Sequence, residues 1–134
     1  MAINGQPKLH RISLAKAKDM THRYQQKRND ILKDEYAGKN VLSICETFSK
    51  EAFDAYFTND QCKGIRIYYG MDGDMLVHAI IVGVDDQNRD MLPKDNGSML
   101  RATAEGDGDD DPPLLEESER CPEECPPPSD LNQP

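Results

Sequence analysis

Between Gly64 and Val84 the chain carries two consecutive stretches whose patterning suits extended backbone. In Gly64-Ile-Arg-Ile-Tyr-Tyr69, Ile65, Ile67 and Tyr69 alternate with Arg66 and Tyr68, the two-residue period of a strand. Gly70-Met-Asp-Gly-Asp74 has the composition of a tight turn. Met75 to Val84 is then apolar at almost every position. The spacing predicts a β-hairpin over 64–84 whose second strand is apolar on both faces. Two strands alone are marginal in water. The hairpin therefore implies cover from helices, a third strand or a second subunit. A homodimer formed on this hairpin is the preferred solution, with Tyr68, Leu76, His78, Ile80 and Val82 as the interface residues.

Upstream, Leu14, Ala17, Thr21, Tyr24, Arg28 and Ile31 recur at alternating spacings of three and four, one stripe of a helix. Ser13 is a suitable N-cap. The pattern predicts a helix over about 13–35, ended near Gly38. A second helix is expected after Ser49, with Ala52, Phe53, Tyr56 and Phe57 on its apolar side and Asn59 and Asp60 at its end. Val41 to Cys45 reads as a short strand. The fold class that follows is α+β: two helices packed on a small antiparallel sheet built around one β-hairpin.

Charge is distributed in blocks. Residues 1–33 hold 8 Lys/Arg against 2 Asp/Glu, residues 34–100 hold 6 against 12, and residues 101–134 hold 2 against 11. The first hundred residues thus balance, and the formal charge of −9 resides in the last segment. That segment also concentrates proline and has almost no aromatic or β-branched residues, so it is expected to be a disordered acidic tail. The division expected is a loose N-terminal arm over 1–11, an α+β domain over 12–100 and the tail over 101–134. The basic first helix and the acidic tail carry opposite charge, which suggests that the tail folds back over the helix.

The opening residues lack the apolar stretch of a secretory signal, and no run approaches the ~18 apolar residues of a membrane span. A cytoplasmic protein is expected, with no membrane partner. In a reducing compartment Cys45, Cys62, Cys121 and Cys125 are expected as free thiols. Cys121 and Cys125, four apart, are candidates for a metal or redox site. A four-ligand zinc site uses two such pairs, however, and Cys45 and Cys62 are far away in sequence. The acidic Glu123 and Glu124 disfavour a thiolate there.

Two acidic stretches fail the calcium-loop pattern, since Met91 and Pro112 fall where that loop needs glycine. His78 lies between apolar neighbours, so a core or interface histidine is favoured over a catalytic one. An enzyme alternative would place a site near His78, Tyr68 and Arg66. The net negative charge argues against a nucleic-acid partner despite the basic first helix. No cofactor motif is present: there is no phosphate loop, no G-x-S-x-G and no H-E-x-x-H.

The segments Ile12-Ser-Leu-Ala…Met20-Thr-His-Arg-Tyr24, Glu46-Thr-Phe48 with Ala52-Phe53-Asp54, and Gly64-Ile-Arg-Ile-Tyr-Tyr-Gly-Met71 with Val77-His-Ala-Ile-Ile-Val-Gly83 resemble a set of small uncharacterised proteins from bacteria of the Bacteroidetes group. The Cys121-to-Cys125 segment resembles their Cys/Pro-rich ends. The resemblance implies a recurring unit of helix, helix and hairpin and brings no activity, substrate or catalytic residue. Without a paired acid/base constellation, the expected function is a non-catalytic interaction or assembly module. Its partner is a second copy or another protein. The alternatives are the enzyme near His78 and metal or redox binding through Cys121 and Cys125.

Overall fold

The computed structural model describes residues 8–94 and 112–133. The fold is α+β, with two α-helices and antiparallel sheets among the described residues. These residues form two compact units of interleaved segments. One is built from 49–68, 79–94 and 112–116, the other from 8–48, 69–78 and 117–133. Among the described residues no helix is long and apolar enough to cross a membrane.

The expected hairpin is present as β2 (Gly64–Met71) and β3 (Val77–Val84). The turn between them closes because one carboxylate oxygen of Asp72 accepts from the Asp74 and Leu76 amides, 2.8 and 3.0 Å away. β3 gains two further partners. A turn at Asp85, whose Oδ1 accepts from the Gln87 and Arg89 amides at 2.9 Å, returns the chain as β4 (Asp90–Met91). β4 pairs Gly83 with Met91 and Val84 with Asp90. β5 (Leu114–Leu115) pairs Ile81 with Leu115 and Val82 with Leu114.

Ile81, Val82 and Val84 are buried, as the two-sided apolar pattern requires. Tyr56 covers the face carrying Gly83. It sits on α2 (Asp54–Phe57), which follows a 3-10 turn over Lys50–Phe53, and is only 2% exposed. A Cβ at Gly83 would stand 3.3 Å from the Tyr56 ring and 3.2 Å from Cys62 Sγ, so only glycine lets the ring approach this closely. The Tyr56 hydroxyl donates to the Pro113 carbonyl at 2.8 Å, with the Ile81 carbonyl 3.2 Å away. Burial pushes its pKa up to about 12. The second helix is thus shorter than expected, and Ser49 caps the 3-10 turn without a side-chain hydrogen bond.

In the other unit, α1 (Leu14–Lys27) starts where the sequence indicates: Ser13 Oγ accepts from the Lys16 amide at 3.1 Å. It stops earlier than the expected 35. Beyond Lys27 the chain passes through separate turns, and Asn29 Oδ1 accepts from the Gly38 amide at 3.1 Å. A short polar side chain that takes a backbone donor competes with helical bonding. Gly38, at φ 76°, lies inside this turn region rather than at the end of the helix. β1 (Cys45–Thr47) lies just beyond the strand expected at 41–45 and pairs antiparallel with β6 (Glu119–Cys121).

The disordered tail expected over 101–134 is not borne out for residues 112–133, while 101–111 lie outside the described residues. Leu114–Leu115 and Glu119–Cys121 are strands, and Cys121 is buried. The reason is long-range pairing, with Arg120 as its main anchor. Its guanidinium donates to the carbonyls of Asn40 at 2.5 Å, Val41 at 2.7 Å and Val77 at 3.1 Å. Residues 129–132 follow along α1: His22 Nε2 donates to the Asp130 carbonyl at 3.0 Å and Gln25 Nε2 to the Leu131 carbonyl at 2.7 Å. The tail does meet the basic helix, but largely through main-chain acceptors. The accompanying Lys18–Asp130 ion pair is long, at 3.9 Å, and exposed.

Two substitutions test this account by urea denaturation. Gly83→Ala forces the added methyl against the Tyr56 ring, so a loss of about 1–3 kcal/mol is expected. Arg120→Ala leaves three carbonyls without their shared donor, so a loss of about 1.5–3 kcal/mol is expected. Arg120→Lys recovers little of it, because an ammonium does not reproduce the planar fork. An unchanged midpoint for either alanine variant contradicts the packing described.

Candidate functional site

Arg66 and Tyr68 alternate along β2 and so share a strand face. Both converge on Asp90, the first residue of β4. Arg66 Nη1 pairs with Asp90 Oδ1, and the Tyr68 hydroxyl donates to Asp90 Oδ2. The other Arg66 nitrogen donates to Asn88 Oδ1 at 2.5 Å. Asn88 adopts a left-handed φ of 65°, a conformation asparagine tolerates well.

The electrostatics decide what this cluster does chemically. The Tyr68 hydrogen bond, then Arg66, holds the Asp90 carboxyl below the usual carboxylate range. The same hydrogen bond to Asp90 raises the Tyr68 phenol above its ordinary value. Asp90 therefore keeps its charge and Tyr68 its proton at neutral pH. Neither is tuned towards the operating pH of a general acid or base. The arrangement is a clamp tying β2 to the turn after β3.

His78 has a different partner. Its Nε2 lies 2.7 Å from Asp72 Oδ2 and donates to it. That bond, with the Leu76 amide, lowers the Asp72 carboxyl below the carboxylate range. The structure thus joins Arg66 to Tyr68 through Asp90 and gives His78 to the hairpin turn. Sequence reasoning missed Asp90 and Asp72 as the partners. Asp72 was within reach, since a turn aspartate six residues from a strand histidine is a local feature; Asp90 depends on the β3–β4 register.

Of the residues expected at an interface, Tyr68 is exposed, and Leu76, His78 and Ile80 are half-buried. Val82 is not available as a contact surface: at 1% exposure it is enclosed by its own chain. An exposed apolar row lies on β2 instead. Ile65, Ile67, Tyr69 and Met71 occupy alternate positions and are 40%, 52%, 79% and 56% exposed. Among the described residues β2 is a terminal strand of its sheet.

The cysteines also differ from expectation. Cys121 and Cys125 form a disulfide, while Cys45 and Cys62 are free. Both tail sulfurs are committed to each other, so the pair presents no thiolate to a metal. Among the described residues no three His, Cys, Asp or Glu side chains gather as metal ligands. Cys45, opposite Cys121 in the β1–β6 register, has its thiol pushed up by burial and then by Glu46. Comparison with protein-family models, curated proteins and solved structures gives no match for the chain.

The clamp has a pH signature. A depressed carboxyl pKa contributes stability that is present above the unfolded value and lost as pH falls through the folded one. Asp90→Asn removes that contribution. The urea midpoints of the native protein and of Asp90→Asn are therefore expected to differ most near neutrality. They should converge as pH drops through and below the carboxylate range. A gap that stays constant with pH contradicts an ionised Asp90 in the clamp.

Proposed function

We propose that this protein is a non-catalytic assembly module that self-associates through strand β2. The observation that carries the reading is the row Ile65, Ile67, Tyr69 and Met71, exposed on one face of a strand that is terminal among the described residues. Long apolar edge strands are normally shielded by lysine, proline, a bulge or a covering element. β2 has no lysine or proline, and its single charge, Arg66, is already paired with Asp90. Such an edge is a template for another strand.

The sequence of β2 fits a second copy of itself. In an antiparallel pairing centred on Tyr68, Ile65 opposes Met71 and Ile67 opposes Tyr69, so apolar residues meet apolar residues. Arg66 opposes Gly70, so no like charges are brought face to face. A twofold interface needs this self-complementarity. The interface expected on Val82 is thus moved to the neighbouring strand, with Tyr68 at its centre. A cytoplasmic location belongs to the same proposal, supported by the free thiols of Cys45 and Cys62.

Light scattering coupled to size exclusion tests the proposal on the full chain. A dimer at micromolar concentration is expected. Ile67→Lys places two ammonium groups into the paired strands and is expected to give a monomer with an unchanged circular dichroism spectrum. A native protein that is monomeric up to about 100 μM, well above the ~μM range of ordinary specific contacts, would overturn it.

A further inference from the structure

Cys45 is the residue directly opposite Cys121 in the antiparallel pairing of β1 and β6. Directly opposed residues project from the same sheet face, with Cα atoms about 4.5–5.5 Å apart. That lies within the ~4.4–6.8 Å range over which two cysteines are bridged. Cys121 is already bonded to Cys125, four positions on. Three sulfurs therefore gather at one end of the β1–β6 pair, one of them a free thiol and two a disulfide.

We propose that Cys45, Cys121 and Cys125 form a thiol–disulfide exchange site that moves its bond from Cys121–Cys125 to Cys45–Cys121 and presents Cys125 to disulfide-bearing molecules outside. In the step, Cys45 loses its proton to solvent and its sulfur attacks Cys121 Sγ. A Cys45–Cys121 bond forms, the Cys121–Cys125 bond breaks, and Cys125 leaves with the electron pair and takes up a proton. One disulfide and one thiol are present before and after, so the step needs no oxidant.

Exposure assigns the roles. Cys121 is 2% exposed, so its sulfur is shielded from thiols in solution and reached from the adjoining strand. Cys125 is exposed and becomes the outward-facing thiol once freed. Freed Cys125 then attacks a low-molecular-weight disulfide of the oxidised glutathione class, forming a mixed disulfide and releasing one thiol. The raised pKa of Cys45 governs the pace of the first step rather than its direction. A more basic thiol supplies less thiolate, but each thiolate is the stronger nucleophile. The two bonds also differ in reach. Cys121–Cys125 closes a loop within β6 and its continuation, whereas Cys45–Cys121 ties β6 to β1. Closing the longer loop constrains the unfolded chain more.

Peptide mapping of the full-length protein, incubated with oxidised glutathione and then acid-quenched and alkylated, tests the site. The expected products are a Cys45–Cys121 cross-linked peptide and a Cys125 peptide carrying glutathione. If Cys45 instead carries glutathione while Cys121–Cys125 stays intact, or if Cys45 is recovered only as the alkylated thiol, the proposal fails. Cys125→Ser supplies a second readout, since its remaining pair is expected to cross-link under the same treatment. That variant should then unfold at a higher urea concentration than after reduction. Recovery of Cys45 and Cys121 as separate peptides from folded Cys125→Ser overturns the proposal as well. Neither result depends on the oligomeric state, so the exchange site and the β2 interface stand or fall separately.

Discussion

A strand that is apolar on both faces has to be covered on both, and the segment Ile81 to Val84 imposes that demand on its unit. Ile81, Val82 and Val84 each lie below 4% exposure. The cover comes from short pieces that would not hold a structure alone: a four-residue helix, two two-residue strands and the Tyr56 ring. Gly83 belongs to the same solution, because the ring reaches the backbone where no Cβ intervenes. Tyr56 brings a hydroxyl into the buried region, and that hydroxyl meets the Pro113 carbonyl next to β5. A buried polar group left unpaired costs more than the bond gains, so this contact also helps fix where β5 enters.

The second unit solves a different problem, that of a segment with little apolar surface. Residues 117–133 include a single cation among many carboxylates, and that cation is Arg120. Its planar fork satisfies three carbonyls from two separate stretches of chain. A guanidinium suits this task because its donors are fixed in one plane and it remains charged. Opposite Arg120 in the strand register stands Glu46, whose carboxylate also accepts from Ser118 Oγ at 2.7 Å. Order in this segment therefore comes from directed hydrogen bonds rather than from hydrophobic burial, with Cys121 as the buried exception.

Local rules were reliable where the determining contacts are local. The start of α1 at Ser13, the two hairpin strands and the aspartate turns at 72 and 85 each depend on residues within a few positions. The apolar spacing runs on to Ile31, yet α1 ends at Lys27, where the Asn29 side chain engages Gly38 across nine residues instead. The tail was misjudged for a stronger reason. Composition averages over 101–134, whereas order in 112–133 depends on five strand residues, Arg120 among them, whose partners lie far upstream. Val82 is expected at a subunit interface because two-sided apolarity alone does not say which element covers a strand. At the site, the shared face of Arg66 and Tyr68 was legible from alternation, but their meeting point at Asp90 requires the β3–β4 register.

Two features stand apart from the contacts described for either unit: the apolar row on β2 and the free thiol of Cys45 opposite a disulfide. Their chemistry differs in a way that bears on function. The β2 row is non-directional and acts through area, so it suits a partner that presents the same pattern along its length. The sulfur group is directional and acts at one atom, so it suits a small reactant with its own disulfide. Arg66 is held by Asp90, and the Lys18–Asp130 pair is exposed and long enough to contribute little. A chain with a formal charge of −9 would ordinarily be read through its electrostatics. Here the docking of the acidic segment on α1 rests mainly on main-chain carbonyls, so the sign of the charge says little about how that segment is held.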